Sequence, residues 1–191
     1  FWKQKNKGRS ILCVTTNELN SLVIEHLSPL FNDDESSFHI HTIPSGETQK
    51  NLSTVASILD LLCDLKFERI DTIIAFGGGV IGDLVGFASS AYLRGINLIQ
   101  CPTSLLAQVD ASIGGKTGVN HSSGKNLIGA FYQPICTYIN PQILQTLPED
   151  EMRCGMAEIV KYGIIRDPEL FTYLETHVQE LRSYRYTDAP E

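Results

Sequence analysis

The segment from Val109 to His121 gathers polar side chains into a glycine-rich stretch, and Gly124-Lys125-Asn126 follows it closely. An ammonium group is a compact charge that pairs with phosphate or carboxylate, so lysines beside an aspartate and amides suit an anionic small molecule. Apolar periodicity is almost absent here. The sequence therefore predicts a ligand-binding loop that contributes nothing to a hydrophobic core.

A second candidate site is the run Gly77-Gly78-Gly79, between a predicted strand and a predicted helix. Gly77, Gly79 and Gly82 fit the G-x-G-x-x-G spacing, in which a dinucleotide pyrophosphate meets a helix N-terminus. The ribose-binding acid usually found about 20 residues further on is absent, and Glu47 could supply that carboxylate from an earlier loop. Consecutive glycines cost chain entropy without improving packing, which favours a ligand turn over an empty one.

Composition argues against two classes of partner. The 191 residues carry a formal net charge of −7, whereas nucleic-acid binding needs a basic face. Apolar runs stay well short of the roughly 20 residues needed to cross a bilayer, so we expect no membrane partner. The cysteines form no C-x-x-C pair, which indicates reduced thiols and a cytoplasmic protein, or a plastid protein if the source is a plant.

Strand-like and helix-like patterns alternate along most of the chain. Apolar runs lie at 10–15, 38–43, 71–76 and 96–101, and helical spacing lies at 19–30, 48–65 and 80–93. This order predicts an α/β fold over residues 1–147, with a Rossmann-like parallel sheet wound with helices. The pattern then becomes helical, and Asp167-Pro168 is typical of a helix start. We therefore expect residues 148–191 to be the first helices of an all-α domain.

Several motifs, in this order, resemble those of the 3-dehydroquinate synthase family. The similarity runs from about residue 10 to the end of the chain, and its motifs are Pro44-Ser45-Gly46-Glu47 with Lys50, Gly77 to Asp83, Tyr92-Leu93-Arg94-Gly95, Gln108 to His121, Gly124 to Pro134 and Gly155 to Gly163. The resemblance implies an NAD-binding domain and the start of a helical metal- and substrate-binding domain. It also implies that two further metal-ligand histidines lie outside this chain, which alone would turn over weakly or not at all.

The resemblance implies a lyase of the shikimate pathway, which leads to chorismate and the aromatic amino acids. Such an enzyme converts 3-deoxy-D-arabino-heptulosonate 7-phosphate to 3-dehydroquinate and phosphate. Its implied cofactors are NAD and a divalent metal, zinc or cobalt, and the implied steps are oxidation, phosphate elimination, reduction and aldol cyclisation. We expect a small sugar acid phosphate as partner and a homodimer for the full-length protein.

The resemblance also implies roles for individual residues. The catalytic and substrate-binding residues would be Arg94, Asp110, Lys116, Asn126 and Lys161. The cofactor would contact Glu47, Lys50, Gly78, Gly79, Asp83, Thr103, Ser104, Lys125 and Thr146. Glu158 matches the metal ligand, and the apolar residues around it favour a partnered acid over a solvated one. Lys161 shares its helix face, so a simple salt bridge is the alternative.

Three alternative functions remain open at this point. A related sugar phosphate cyclase would share the cofactor turn and differ in the substrate segment, where residues 114–121 favour a 3-dehydroquinate synthase. An iron-type alcohol or polyol dehydrogenase would not need Lys116, Lys125 and Lys161 together for an anionic substrate. The third alternative is an inactive nucleotide-binding remnant, which metal-dependent phosphate release would exclude.

Overall fold

The structure, a computed structural model, describes residues 9–31 and 37–183. Its strands are β1 (Ser10–Thr16), β2 (Ser37–Ile43), β3 (Thr72–Gly77), β4 (Asn97–Pro102), β5 (Lys116–His121), β6 (Gly124–Phe131) and β7 (Cys136–Thr137). Five of them form one sheet in the order β2-β1-β3-β4-β7, with every pair parallel. The strands β5 and β6 pair antiparallel as a separate hairpin.

Helices connect the parallel strands and continue after them. They are α1 (residues 17–31, irregular, with a π turn at Val23–Leu27), α2 (Leu52–Asp64), α3 (Gly79–Ala91), α4 (Glu149–Arg166), α5 (Pro168–Thr176) and α6 (Val178–Ser183). Short helical turns at Glu47–Gln49, Tyr92–Arg94, Ala107–Ala111 and Pro141–Thr146 complete the connections. Across residues 9–31 and 37–183, none of the helices has the length and apolar character to cross a membrane.

Helices cover both faces of the sheet. Successive residues of a strand point to opposite faces, so each strand contributes side chains to both layers. On one face Leu12 and Ile73 pack with residues of α2 and α3, and on the other Cys13 and Ile74 pack with residues of α1. Every residue of β3 is buried. Strands buried along their whole length are characteristic of parallel sheets covered on both sides. The predicted α/β fold is therefore confirmed; residues 1–8, 32–36 and 184–191 of the predicted domains lie outside the described residues.

The helices after the sheet begin where the sequence predicts. The Asp167 side chain accepts a hydrogen bond from the backbone N–H of Leu170, and Pro168 occupies the first turn of α5. This is a typical N-cap arrangement. Helix α4 packs against α5 and against the turn Ala107–Ala111, which places it beside the sheet's carboxyl edge.

The prediction of a loop without core contacts between Val109 and Asn126 was wrong. Part of this segment is the strand β5, and Val119 is completely buried in the main core. Gly118 and Gly129 lie opposite each other, and a Cβ on either residue would collide with the facing backbone. Glycine lets two chains approach closely, so the glycines that hide the strand pattern in the sequence are those that let the hairpin close.

Candidate active site

The glycine turn joins β3 to α3, and its glycines are required for different reasons. A Cβ on Gly77 would lie 2.6 Å from Ile81 Cγ1, so the packing of the protein itself excludes a larger residue. A Cβ on Gly78 or Gly79 would meet its nearest neighbour at 3.5 or 3.4 Å, close to ordinary contact distances. Packing does not explain glycine at 78 and 79, and their bare backbone leaves room for a ligand to approach.

Helix α3 begins at this turn without a side-chain cap. Gly78 is the N-cap residue, and no side chain accepts a hydrogen bond at this position. An uncapped helix N-terminus presents N–H groups and a partial positive charge, which suit an anion such as a pyrophosphate. Thr103 donates its backbone N–H to the Gly77 carbonyl at 3.0 Å, and Ser104 Oγ lies beside Gly78. The turn and the end of β4 therefore form one cradle that fits a dinucleotide phosphate.

A groove of about 360 Å³ lies between α3 and the β5–β6 hairpin. Three predicted site residues line it, namely Asp83, Lys116 and Asn126. Cavities of this size hold small organic molecules. The lysine supplies the cation that an anionic ligand needs, and the structure therefore brings together residues that lie far apart in the sequence.

Lys50 joins three parts of this site. Its side chain is 7% exposed, its Nζ lies 2.5 Å from Asp83 Oδ2, and it donates a hydrogen bond of 2.6 Å to Asn126 Oδ1. A buried ammonium group is costly unless it is paired and hydrogen-bonded, and both partners meet that need. Burial raises the pKa of the Asp83 carboxyl above its ordinary value, while Lys50 and, more weakly, Lys116 oppose that rise.

Glu47, Asn120 and Lys125 form the outer edge of the site. Asn120 Nδ2 donates to Glu47 Oε1 at 2.8 Å, and Lys125 Nζ lies 3.9 Å from the same oxygen. The lysine side chain is 76% exposed, so this ion pair contributes little stability and its ammonium remains accessible to a ligand. Asn120 was not among the predicted site residues, although its place in the polar segment could have drawn attention to it.

Asp110 lies in the turn Ala107–Ala111, where α4 crosses it. The Tyr162 hydroxyl lies 3.2 Å from Asp110 Oδ1 and 3.1 Å from the Val109 carbonyl oxygen, and it can donate to either. Desolvation and the neighbouring Asp110 carboxylate raise the pKa of Tyr162, so it stays protonated at neutral pH. Tyr162 was not among the predicted site residues, because a tyrosine one residue after a lysine carries no spacing signal of its own.

Glu158 and Lys161 share one face of α4 and form an ion pair. Their side chains are 18% and 47% exposed, so the acid is the more buried partner. This ion pair is the alternative named for the two residues, and the metal-ligand role of Glu158 stays a prediction. In the part of the chain that the structure describes, no three His, Cys, Asp or Glu side chains are placed to hold a metal ion. One carboxylate does not make a zinc site, so these residues do not complete one.

Arg94 and Thr146 are among the predicted site residues that do not line the groove. Arg94 follows the C-terminal end of α3, and the glycine turn lies at the other end of this 13-residue helix, about 20 Å away. Thr146 ends the turn Pro141–Thr146, where its hydroxyl donates to the Ile143 carbonyl at 3.3 Å. The ligand contacts proposed for both residues stay predictions.

The fold and the site together define a class of protein. A parallel sheet, a glycine turn at the carboxyl end of a strand and an uncapped helix N-terminus are the features of a Rossmann-like nucleotide-binding domain. Residues 40–154 match the family model for the N-terminal domain of 3-dehydroquinate synthase. This chain belongs to the 3-dehydroquinate synthase family.

Curated relatives agree with this assignment. The 3-dehydroquinate synthase of a Synechocystis strain is 52% identical over 168 residues, which cover 88% of this chain and 46% of that protein. The 3-dehydroquinate synthase of a Picosynechococcus strain is 48% identical, over 98% of this chain and 51% of that protein. The chain therefore spans about half the length of these relatives.

Solved structures with the same fold include other sugar phosphate cyclases. The 2-epi-5-epi-valiolone synthase of Streptomyces hygroscopicus, solved with NAD⁺ and Zn²⁺ bound, has a TM-score of 0.86 and 35% identity, over 93% of this chain and 50% of that one. A 2-deoxy-scyllo-inosose synthase solved with carbaglucose-6-phosphate, NAD⁺ and Co²⁺ has a TM-score of 0.78 and 31% identity, over 84% and 44%. A glycerol dehydrogenase of Schizosaccharomyces pombe, at 13% identity over 85% and 39% and a TM-score of 0.66, shares the fold alone.

Proposed function

We propose that this chain is the NAD-binding part, with the first helices of the metal- and substrate-binding part, of a 3-dehydroquinate synthase. The whole protein would convert 3-deoxy-D-arabino-heptulosonate 7-phosphate to 3-dehydroquinate and phosphate. The family match and the curated relatives at about 50% identity support this reaction. We place the boundary between the two parts after residue 147, where α4 is about to begin.

The proposed cofactor contacts centre on the glycine turn. The open backbone at Gly78 and Gly79, beside an uncapped helix N-terminus, is the single observation that carries this proposal. A cyclase of the same fold binds NAD⁺, which supports NAD as the ligand. Further contacts are proposed for Glu47, Lys50, Asp83, Thr103, Ser104, Lys125 and Thr146. When bound, NAD would accept a hydride from the carbon that bears a substrate hydroxyl, which becomes a ketone, and would later return it.

The substrate is proposed to be held by Lys116 and Asn126 in the groove, together with three residues that do not line it, Asp110, Lys161 and Arg94. Lys116 and Lys161 would neutralise its phosphate and carboxylate, because each ammonium is a compact charge with freely rotating donors. Asn126 can donate through Nδ2 to a hydroxyl while Oδ1 stays with Lys50. Asp110, kept in place by Tyr162, can accept a hydrogen bond from a hydroxyl or a water. Arg94 would contribute a planar guanidinium to a carboxylate, if a further chain or segment brings that end of α3 to the substrate.

Glu158 is proposed as one ligand of a divalent metal, zinc or cobalt. Two of the cyclases with the same fold were solved with Zn²⁺ or Co²⁺, which supports the choice of metal. The Glu158 side chain is 18% exposed and pairs with Lys161, and a carboxylate is a group that can bind a divalent cation. The remaining ligands would be the two histidines that the family resemblance implies. We also propose a cytoplasmic homodimer as the working form of the whole protein.

Related cyclases and dehydrogenases are the competing functions. The two cyclases described above are 31% and 35% identical to this chain, below the 52% of a curated 3-dehydroquinate synthase. The similarity of this chain to a dehydrogenase is at the level of the fold. A dehydrogenase would release reduced cofactor in proportion to product. A cyclase returns the hydride, so the two classes differ in net NADH.

The reaction is tested with the full-length protein, 3-deoxy-D-arabino-heptulosonate 7-phosphate, a divalent metal and NAD far below the substrate concentration. We expect phosphate release over many turnovers with no accumulation of NADH. Net NADH equal to product would contradict the proposal, and so would the absence of phosphate release with metal present. Substrates of the other cyclases, supplied in parallel, distinguish 3-dehydroquinate formation from a related ring closure.

The proposed residue roles are tested with two variants of α4 and a matched control. Lys161→Ala is expected to abolish turnover and leave NAD affinity unchanged, and Glu158→Gln is expected to lower bound metal in elemental analysis. The control is Arg153→Ala, which removes a basic residue of the same helix that pairs with Glu149 on the exposed side. Normal turnover by Lys161→Ala, or full metal content in Glu158→Gln, would remove that residue from the site.

A further inference from the structure

The β5–β6 ladder is interrupted at Asn120. Pairing is regular as far as Val119 and resumes at His121 opposite Gly124, so Asn120 stands opposite three residues of β6, 125–127. A bulge of this kind locally bends a strand and re-aims its side chains, and bulges are frequent beside active sites. Here the bulged residues include Lys125 and Asn126, for which we proposed ligand contacts.

The Asn120 amide bonds two different segments through its two ends. Its Oδ1 accepts the backbone N–H of Asn126 at 2.9 Å, and its Nδ2 donates to Glu47 Oε1 at 2.8 Å. Its backbone N–H donates to the Lys50 carbonyl at 2.9 Å. One side chain therefore connects the turn at 47–50, on the proposed cofactor side, with the bulge at the mouth of the groove.

Asn126 depends on this connection for its conformation. Its φ is 56°, in the left-handed region that is unfavourable for most residues other than glycine. The ladder is irregular here, and the side chain of Asn120 satisfies the backbone N–H. That conformation aims Asn126 Oδ1 at Lys50 Nζ. Strained conformations of this kind persist where surrounding bonds hold them.

We propose that Asn120 is a positioning residue, which fixes Glu47 and Asn126 relative to each other and so aligns the cofactor side of the site with the substrate side. The two ligand roles rest on the proposed function, whereas the coupling itself rests on the hydrogen bonds. An amide is needed because one end must accept and the other must donate. Aspartate keeps the acceptor for Asn126, loses the donor and places a second carboxylate against Glu47.

The test measures two properties of this 191-residue chain: the hydrogen-exchange rate of the Asn126 amide by NMR and the Kd for NAD by calorimetry. In Asn120→Ala we expect the Asn126 amide to exchange roughly tenfold faster and the Kd to rise roughly tenfold, as for the loss of one or two hydrogen bonds. In Asn120→Asp we expect a similar rise in Kd, with Asn126 exchange close to that of the unaltered chain.

A matched control and a rescue separate positioning from general damage. Asn97→Ala removes an amide that donates to the Ile70 carbonyl at 3.0 Å, at the opposite edge of the sheet, and should change neither property. Pairing Asn120→Asp with Glu47→Gln reverses donor and acceptor, and should restore the melting temperature that Asn120→Asp alone loses. Failure of that rescue would contradict the direct coupling of these two side chains.

The outcomes for Asn120 and for the function are distinct. Unchanged Asn126 exchange and unchanged NAD affinity in Asn120→Ala would overturn the positioning role. If the unaltered chain bound no NAD, the proposed function would fail, and the exchange rates and the rescue would still decide whether Asn120 couples the two segments.

Discussion

The parallel sheet and the helix α4 differ in how much of their own surface they bury. Every residue of β3 is buried, whereas the buried residues of the 18-residue α4 are Gly155 and Gly163. The side chains of Ile164 and Ile165 are 67% and 69% exposed. Stability follows buried apolar area, so the sheet supplies the framework, and α4 presents functional groups without contributing much to the core.

Helix α4 is placed by a few close contacts. A Cβ on Gly155 would lie 2.5 Å from Leu105 Cβ, so glycine allows the helix to lie directly on the segment after β4. One turn after Glu158, Tyr162 bonds the Asp110 region. The chemical groups of α4 are therefore aligned by close backbone contact and one hydroxyl, whereas those of the sheet edge are aligned by a packed core.

The largest expected difference in the free energy of unfolding is between substitutions of two large apolar residues, one in the sheet and one in α4. Leu98 is completely buried in β4, so Leu98→Ala should lower the free energy of unfolding by about 2–5 kcal/mol. Ile165→Ala, on the exposed side of α4, should change it by less than about 0.5 kcal/mol. Urea denaturation with an unchanged m-value measures both. Equal losses would contradict the proposed division between framework and presented helix.

The glycine turn should show the next largest effect. Gly77→Ala forces a Cβ against Ile81 and should cost about 1–3 kcal/mol of stability. Gly78→Ala meets no such obstacle and should change stability by less than about 0.5 kcal/mol, while weakening NAD binding. Thermal melts and NAD titration of both variants test this. A destabilised Gly78→Ala would show that packing, and not a ligand, requires that glycine.

Tyr162→Phe should have a smaller effect on stability, and that effect should be confined to α4. It removes a hydroxyl that can donate a hydrogen bond to Asp110 or to the Val109 carbonyl, and so weakens the contact of α4 with that turn. Hydrogen exchange should accelerate in α4 and stay unchanged in β3, because the sheet does not depend on this bond. Uniform acceleration across the chain would mean that α4 and the sheet unfold as one unit.

Ionisation of the cysteines should not affect the stability of the fold at neutral pH, whereas a buried and an exposed cysteine should differ clearly in reactivity. Burial, with a smaller contribution from Cys136, raises the pKa of Cys101 from 9.0 to about 12. The folded state therefore binds the Cys101 proton more tightly than the unfolded state does. The stability that this difference contributes is fully present below pH 9 and is lost as the pH rises towards 12. At pH 8, Cys154 on α4 is exposed and should react with a thiol reagent, while Cys101 should not. Rapid labelling of Cys101 in the folded protein would contradict its burial.

The sequence was sufficient for the sheet and its helices because their patterns are strong. The apolar runs of β1, β3 and β4 and the Asp167-Pro168 helix start lie where they were predicted. The hairpin was missed because its strand alternation is broken by Gly118 and by the bulge at Asn120. Close approach between two backbones is a tertiary property, and glycine in a sequence does not reveal which backbone it faces.

The residue types of the candidate site could be predicted from the sequence, whereas the ion pairs and hydrogen bonds between them could not. The resemblance selected Lys50 and Asp83, yet the buried pair that they form depends on two segments meeting across the groove. Asn120 and Tyr162 were missed, since a hydrogen bond between distant segments leaves no spacing signal in one sequence. Arg94, in contrast, was selected from its motif, but it follows the end of α3 that is far from the glycine turn.

The most direct test of the cofactor site is an NMR titration of this chain with NAD, following the backbone amides. We expect the largest shifts at Gly78 and Gly79, at residues 47–50 and at residues 120–126, with saturation at one equivalent. Shifts confined to α4 and α5, or no shifts at all, would contradict the assignment of the glycine turn as the cofactor site.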